Sequence, residues 1–182
     1  HGGEPVYNVH TDLLGDTDLK FSSSIANEID VLFLCVGHGD AKKILEENNI
    51  DKKIKIIDLS QDFRYNKDVT LKTQNSRLFV YGLPELQKEK IKFATNIANP
   101  GCFATCIQLA LLPLASKKLL EKEVHITAAT GSTGAGQSLT TSSHFSWRSN
   151  NLSTYKAFEH QHLNEILQSV KTFQNDFDKK IN

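Results

Sequence analysis

The chain has 182 residues, 39% hydrophobic and 23% charged, which is ordinary globular material for one large or two small domains. Lysine plus arginine and aspartate plus glutamate balance at 21 each, so nothing in the charge favours nucleic acid or an anionic membrane surface as a partner. No apolar stretch approaches the ~18 residues of a bilayer span, no signal peptide opens the chain, and three irregularly spaced cysteines argue against a disulfide framework and for a reducing, cytoplasmic compartment.

The chain begins at His1 and contains no methionine, so the expectation is a piece of a longer protein. Residues 1–21 read as irregular, punctuated by Gly2-Gly3, Pro5 and Gly15, with His10 and Asp12 at the surface. Asp30–Val36 is a continuous apolar run, the pattern of a strand buried on both faces of a parallel sheet, and Cys35 near its end reads as structural. Gly37-His38-Gly39-Asp40 then turns the chain into a helix over Ala41–Asn49. A strand, a glycine turn and a helix form the unit that places ligands at strand C-termini, where His38 could meet a cofactor or simply face water. Ile54–Leu59 is the next strand. The polar loop Ser60-Gln61-Asp62-Phe63-Arg64 follows it, with Arg64 either an anion contact or a surface partner of Asp62. Leu78–Tyr81 and Ile91–Ala98 read as further short strands.

Ala98-Asn99-Pro100-Gly101-Cys102 marks a strand turning into a helix over Cys102–Leu112. Cys106, Leu109, Ala110 and Pro113 recur at helical spacing, which makes Cys106 a core residue and Pro113 a kink or break. A thiol in the first turn of a helix faces free N–H groups and the positive end of the helix dipole, both of which favour an anion. The thiolate is the nucleophile, so Cys102 is the strongest candidate for covalent catalysis; a small buried cysteine would look the same locally. Val124–Ala129 reads as a strand. The glycine-rich Thr130-Gly131-Ser132-Thr133-Gly134-Ala135-Gly136 after it could present N–H groups to an anion or be a flexible turn. The Ser/Thr/Asn-rich stretch 138–153 reads as a loop or as polar strands. Leu163, Ile166, Leu167, Val170 and Phe173 form the apolar face of a last helix, opened by His160 and His162 and carrying Glu165 in its first turns. The tail from Gln174 is polar and has no closing element.

The alternation of strands and helices predicts a doubly wound α/β sheet. No G-x-G-x-x-G fingerprint is present, so either no dinucleotide binds or the chain starts after that unit. Cys102 with His160 or His162 makes a nucleophile and base pair. Zinc on Cys102, Cys106, His160 and His162 is a rival, but Cys102-x-x-x-Cys106 in an apolar helix lacks the knuckle spacing of structural zinc sites; no metal site is expected.

Five segments then occur in one order: Asp58-Leu59-Ser60-Gln61-Asp62-Phe63-Arg64, Tyr81-Gly82-Leu83-Pro84-Glu85-Leu86, Ala98-Asn99-Pro100-Gly101-Cys102, Gly131-Ser132-Thr133-Gly134-Ala135-Gly136 and His160-Gln161-His162-Leu163-Asn164-Glu165-Ile166. Together they resemble the N-acetyl-γ-glutamyl-phosphate reductases of arginine biosynthesis, from about Asp30 to Ile166. This chain departs from the family's usual forms at Phe103-Ala104 (usually Tyr-Pro), Gln137 (usually Arg), Gln161 (usually Arg) and Gly37 (usually Pro). These departures bear on the substrate's acyl group more than on the reaction.

The resemblance implies an incomplete doubly wound (Rossmann-type) parallel sheet over 1–100, a partial dinucleotide-binding domain. A glyceraldehyde-3-phosphate-dehydrogenase-like α+β catalytic and dimerisation domain would follow over 101–182. It implies reduction of an N-acyl-γ-glutamyl phosphate to the semialdehyde by NADPH through a thioester on Cys102. His160 would be the acid/base and Glu165 the residue that orients a histidine. Cofactor contacts would come from His38, Gly39, Gly131, Ser132, Gly134, Ala135 and Gly136, and substrate contacts from Asn99, Arg64 and His162. The implied partners are a small acyl phosphate and further copies of the chain, as homodimer or homotetramer. The other readings are a sibling acyl-phosphate reductase such as aspartate-semialdehyde dehydrogenase, a cofactor-free cysteine acyltransferase or hydrolase, and a catalytically inert interaction module.

Overall fold

The computed structural model describes residues 1–65, 77–136 and 138–182. Four short strands, β1 (Val31–Leu34), β2 (Lys55–Asp58), β3 (Val80–Tyr81) and β4 (Asn96–Ala98), form one sheet in the order β1-β2-β4-β3. Every pairing is parallel, with Leu34 opposite Asp58, Asp58 opposite Ala98 and Tyr81 opposite Ala98. Parallel neighbours need a crossover, and α1 (Asp40–Glu47) supplies it between β1 and β2, α2 (Pro84–Phe93) between β3 and β4. All four strand C-termini therefore open on one edge, and α3 (Cys102–Ser116) starts from that edge. The predicted α/β parallel architecture is what the chain forms.

Several expected elements differ in ways that affect the site. β1 is not buried on both faces: Val31 is 38% and Phe33 58% exposed, while Leu34 is buried. It lies at the edge of the sheet, and only its Leu34 side joins the cluster of Ala41, Leu45, Ile54, Ile56 and Phe79. Cys35, just past its end, is exposed rather than structural. The expected strand over Ile91–Ala98 begins only at Asn96. Pro84 at the first helical position fixes a helical φ, and the resulting α2 takes Ile91 and Phe93 into its last turn.

α3 has the predicted period but the opposite phase. Its buried residues are Ala104, Gln108, Leu111, Leu112 and Ala115, so the face through Cys106, Leu109 and Pro113 looks outward. Cys106 is exposed and not core, and α3 runs through Pro113 without a break. The helix is apolar on both sides, so periodicity could not choose the phase. α5 (His162–Phe173) chooses it, packing on α3 with Ile166 and Val170 in a second core with Tyr81, Leu83 and Ala104. The expected strand at Val124–Ala129 reduces to one parallel bridge, Val124 with Ile181, so the polar tail does close against the body. Residues 138–153 contain a single helical turn, α4 (Phe145–Arg148). His10 and Asp12 are at the surface as expected.

Arg77 is buried and joins the α1–β2 connection to β4. Its guanidinium donates to the carbonyls of Ile50 (2.8 Å), Asp51 (2.7 Å) and Ile54 (3.2 Å) and to Asn96 Oδ1 (3.0 Å). Arg77→Met removes all these donors and strands buried acceptors. It is expected to destabilise the fold by about 2–4 kcal/mol, read as a lower urea midpoint at unchanged m-value.

Candidate active site

The site is built on the turn between β4 and α3. Asn99 continues the ladder, its N–H donating to Asp58 O at 2.8 Å, and its side chain is exposed. Gly101 precedes the helix at φ −66° and ψ 151°, a conformation open to any residue. What it cannot carry is a Cβ, because that atom would overlap the His162 ring. The Gly101 carbonyl accepts from Thr105 N–H at 2.8 Å and from Thr105 Oγ1 at 3.1 Å, which fixes the first turn. Cys102 opens the helix and is exposed.

Beneath this turn lies Glu165, fully buried on the first turn of α5. Its Oε2 accepts from Gly101 N–H (3.1 Å) and from the Tyr81 hydroxyl (2.9 Å); its Oε1 accepts from Arg64 Nη1 (2.9 Å). His162 Nε2 stands 3.9 Å from Oε1, at the limit of an ion pair. Arg64 is neither at the surface nor paired with Asp62. It is buried, and its Nε and Nη2 donate to Asn99 O (2.8 Å) and Leu59 O (2.9 Å). All three of its nitrogens are thus engaged within the chain, one of them on the turn that carries Cys102.

The loop after β2 is assembled by its own side chains. Ser60 N–H and Oγ donate to Asp58 at 3.0 and 2.9 Å, and Asp62 N–H donates to Ser60 Oγ at 3.0 Å. Asp62 in turn accepts from Gly39 N–H (2.7 Å) and Lys42 N–H (3.2 Å), capping α1 from outside the helix. Burial raises Asp58 above the usual carboxylate range, against the Ser60 hydrogen bonds. His38, exposed on the neighbouring loop, accepts Gln61 N–H at Nδ1 (3.2 Å). The Gly39 N–H is committed to Asp62, but the space above its Cα is open, with no atom within 4 Å of where a Cβ would stand.

His160 lies beside the turn that carries Cys102. Its ring meets Phe103 edge-on at 5.4 Å, Tyr155 at 5.7 Å and His162 at 4.5 Å. Its Nδ1 accepts His162 N–H at 3.2 Å, so the neutral ring carries its proton on Nε2, which faces the Tyr155 hydroxyl at 3.5 Å. Burial, then the Lys156 ammonium, lowers His160 below the usual imidazole value, while Glu165 pulls it up. Burial also lowers His162, again opposed by Glu165. Tyr155 is pushed up by burial and then by the nearby Cys102.

The predicted residues divide by location. Cys102, His160, Asn99 and His38 are at or near the surface on the strand-end edge; Arg64, His162 and Glu165 are buried under it. The glycine loop, with a 3₁₀ turn at Ser132–Ala135, is exposed and closed by its own bonds from Gly134 N–H to Gly131 O (3.2 Å) and Gly136 N–H to Thr133 O (3.1 Å). Gln137 lies outside the described residues. Among the described residues no cluster of three or more His, Cys, Asp or Glu is arranged to hold a metal ion, and no helix is long and apolar enough to cross a membrane. Sequence reasoning missed Tyr81 and Gln108, the Glu165 supports, although Tyr81 stands in a quoted motif. A glutamine inside an apolar helix was the available signal for Gln108.

Residues 1–94 match the semialdehyde dehydrogenase NAD-binding domain, and residues 102–181 the semialdehyde dehydrogenase dimerisation domain. Curated relatives named N-acetyl-gamma-glutamyl-phosphate reductase include one from Christiangramia forsetii, 54% identical over 99% of this chain and 54% of its own length. Another, from Azobacteroides pseudotrichonymphae, is 60% identical over 91% of this chain and 50% of its own length. The chain thus spans about half the length of the curated relatives it matches. Among solved structures, aspartate semialdehyde dehydrogenase II from Vibrio cholerae aligns with TM-score 0.56 at 16% identity, over 88% of this chain and 52% of that one, a likeness of fold.

Two expectations follow. Gly101→Ala forces its Cβ against the buried His162 ring and is expected to destabilise by about 1–3 kcal/mol, measured by thermal unfolding. Because His162 is depressed in the folded state below its unfolded value of ~6.5, the unfolded chain binds more protons there. Its contribution to stability is complete above that pH and is lost as pH falls through it. His162→Gln is therefore expected to flatten the fall in stability below about pH 6.5, compared by urea titration at stepped pH.

Proposed function

The chain belongs to the semialdehyde dehydrogenase family, and we propose that it is the catalytic part of an NADPH-dependent N-acyl-γ-glutamyl-phosphate reductase, N-acetyl by preference, in arginine biosynthesis. The observation that carries this reading is an exposed Cys102 at the first position of α3, with the His160 ring against the adjacent Phe103 and a buried carboxylate fixing the turn from below. The 1–100 part would hold the cofactor and the 101–182 part the chemistry and the contacts of a cytoplasmic homodimer or homotetramer.

The Cys102 thiolate attacks the γ-acyl carbon; the Sγ–C bond forms, the C–O bond to phosphorus breaks, and phosphate leaves with its electron pair. A helix's first-turn N–H groups lack intrahelical partners, and those at the start of α3 would be the donors for the developing oxyanion. His160 takes the proton that leaves the Cys102 thiol; as an imidazolium it would give a proton to the oxygen as the thioester is reduced, returning to the neutral ring. When the Sγ–C bond breaks, the hydroxyl proton returns to His160, leaving the aldehyde and the Cys102 thiolate. Asn99, exposed three positions before Cys102, would be a substrate contact. Arg64 and His162, being buried, act through the turn rather than on the substrate's surface.

A nicotinamide cofactor fits this edge. All strand C-termini open on it, His38 is exposed there, and the space above Gly39 is clear. When bound, it supplies a hydride to the thioester carbon. His38, Gly39 and the exposed 131–136 loop are the residues that would hold it.

All three thiols are exposed, so differences in their alkylation rates report chemistry rather than access. Cys102 is expected to react with iodoacetamide at pH 7 at least about tenfold faster than Cys35 and Cys106, read by peptide mass spectrometry. With N-acetyl-γ-glutamyl phosphate and NADPH, Cys102→Ser is expected to lower turnover by about 10³-fold or more. Equal alkylation rates at all three thiols would sink the covalent mechanism; preference for aspartyl phosphate would point to the sibling reductase.

A further inference from the structure

Tyr81 and Gln108 take no part in the chemistry above, yet they are the innermost polar groups of the site. Both are buried. Gln108 Nε2 donates to Ala104 O at 2.9 Å, which sets the orientation of its amide, and the same nitrogen donates to the Tyr81 oxygen at 2.8 Å. With an incoming N–H on its oxygen, the phenol directs its own proton at Glu165 Oε2, 2.9 Å away. That oxygen also receives the Gly101 N–H, the peptide immediately before the nucleophile. A chain of three hydrogen bonds thus runs from the core of α3 back to its own first turn, passing through β3 and α5. A phenylalanine would fill the same space, so packing does not account for the hydroxyl.

The electrostatics give the hydroxyl a use. Glu165 is a buried carboxylate hydrogen-bonded to the peptide N–H immediately before Cys102, and a buried charge is costly unless both of its oxygens are engaged. The groups facing Glu165 are the Arg64 guanidinium from the loop after β2, the Tyr81 hydroxyl from β3, the Gly101–Cys102 turn of α3, and His160 and His162 at the start of α5. Asp58 and His38 stand behind Arg64 and His162. Arg64 compensates Oε1; Oε2, the oxygen on the nucleophile's peptide, receives the Tyr81 O–H and the Gly101 N–H. We infer that Tyr81, aimed by Gln108, is a positioning residue for the reaction: it holds Glu165 Oε2 on the Gly101 N–H and draws that oxygen's charge away from the Cys102 thiolate.

The inference rests on Cys102 being the nucleophile, and the test separates the two. Alkylation of the full chain by iodoacetamide is followed at each cysteine from pH 5.5 to 9.5, with thermal unfolding alongside, for the unmodified chain, Tyr81→Phe, Glu165→Gln and the double variant. Tyr81→Phe is expected to slow Cys102 alkylation at pH 7 by about three- to tenfold and to move its profile to higher pH. Cys35 and Cys106 should be unaffected, and Tyr81→Phe should have no further effect once Glu165 is Gln. Gln108→Leu keeps the phenol but removes its guide, and is expected to move the profile the same way by less; it carries the test if Tyr81→Phe does not fold. A lower melting temperature with the Cys102 profile unmoved would make Tyr81 purely structural and overturn the inference, as would an equal shift in the Glu165→Gln background. Cys102 reacting no faster than Cys106 in the unmodified chain would overturn the nucleophile assignment and this inference with it.

Discussion

The structure turns on one buried carboxylate. Glu165 brings together segments far apart in the chain: Arg64 from the loop after β2, Tyr81 from β3, and Gly101 from the turn into α3. Burying a carboxylate is costly unless its oxygens are fully engaged, and here each has a short, directional partner. A buried ion pair of this kind adds little net stability over an apolar replacement. What it supplies is geometry: a loop, a strand end and the turn into α3 are joined at one point, in an arrangement that leaves Cys102 at the surface.

The remainder of the strand-end edge follows the same logic on a smaller scale. Asp58, Ser60 and Asp62 bond to one another and to the N-terminus of α1, so the polar loop that looks like a ligand-binding segment is largely its own scaffold. Its side chains face inward because parallel strands end without partners for their last backbone groups, and short polar residues are the cheapest way to satisfy them. The loop that closes off α1 is thus occupied with its own structure, whereas its neighbours Cys102, Asn99 and His38 are exposed.

α3 shows where one-dimensional periodicity stops being informative. Leucines and alanines line both of its faces, so the sequence contains two equally good apolar stripes. The stripe that is buried includes Gln108, which pairs with Tyr81, and the stripe that is exposed includes Cys106 and Leu109. α5 departs in the same sense: Glu165 and Ser169 are buried along with Ile166 and Val170, while Phe173 at the end of the predicted apolar face is 41% exposed. In both helices the buried face includes a hydrogen-bonded polar residue, Gln108 in α3 and Glu165 in α5, which a hydrophobic stripe cannot reveal.

The sequence by itself determined the parallel α/β order, the helix starting at Cys102 and the amphipathic last helix. These depend on local chemistry: apolar runs, turn residues, and the free N–H groups of a first helical turn. Only the tertiary structure decided which histidine stays near the surface and which is buried, that Arg64 points inward, that Gly101 must lack a Cβ because His162 occupies its space, and that Tyr81 and Gln108 belong to the site at all. Each of those facts is set by contacts between residues 27 to 101 positions apart or by the ring of a distant side chain. No local pattern encodes which of several polar residues will meet when the chain folds, because the choice is made by where the strand ends, the turn into α3 and the paired helices α3 and α5 come together.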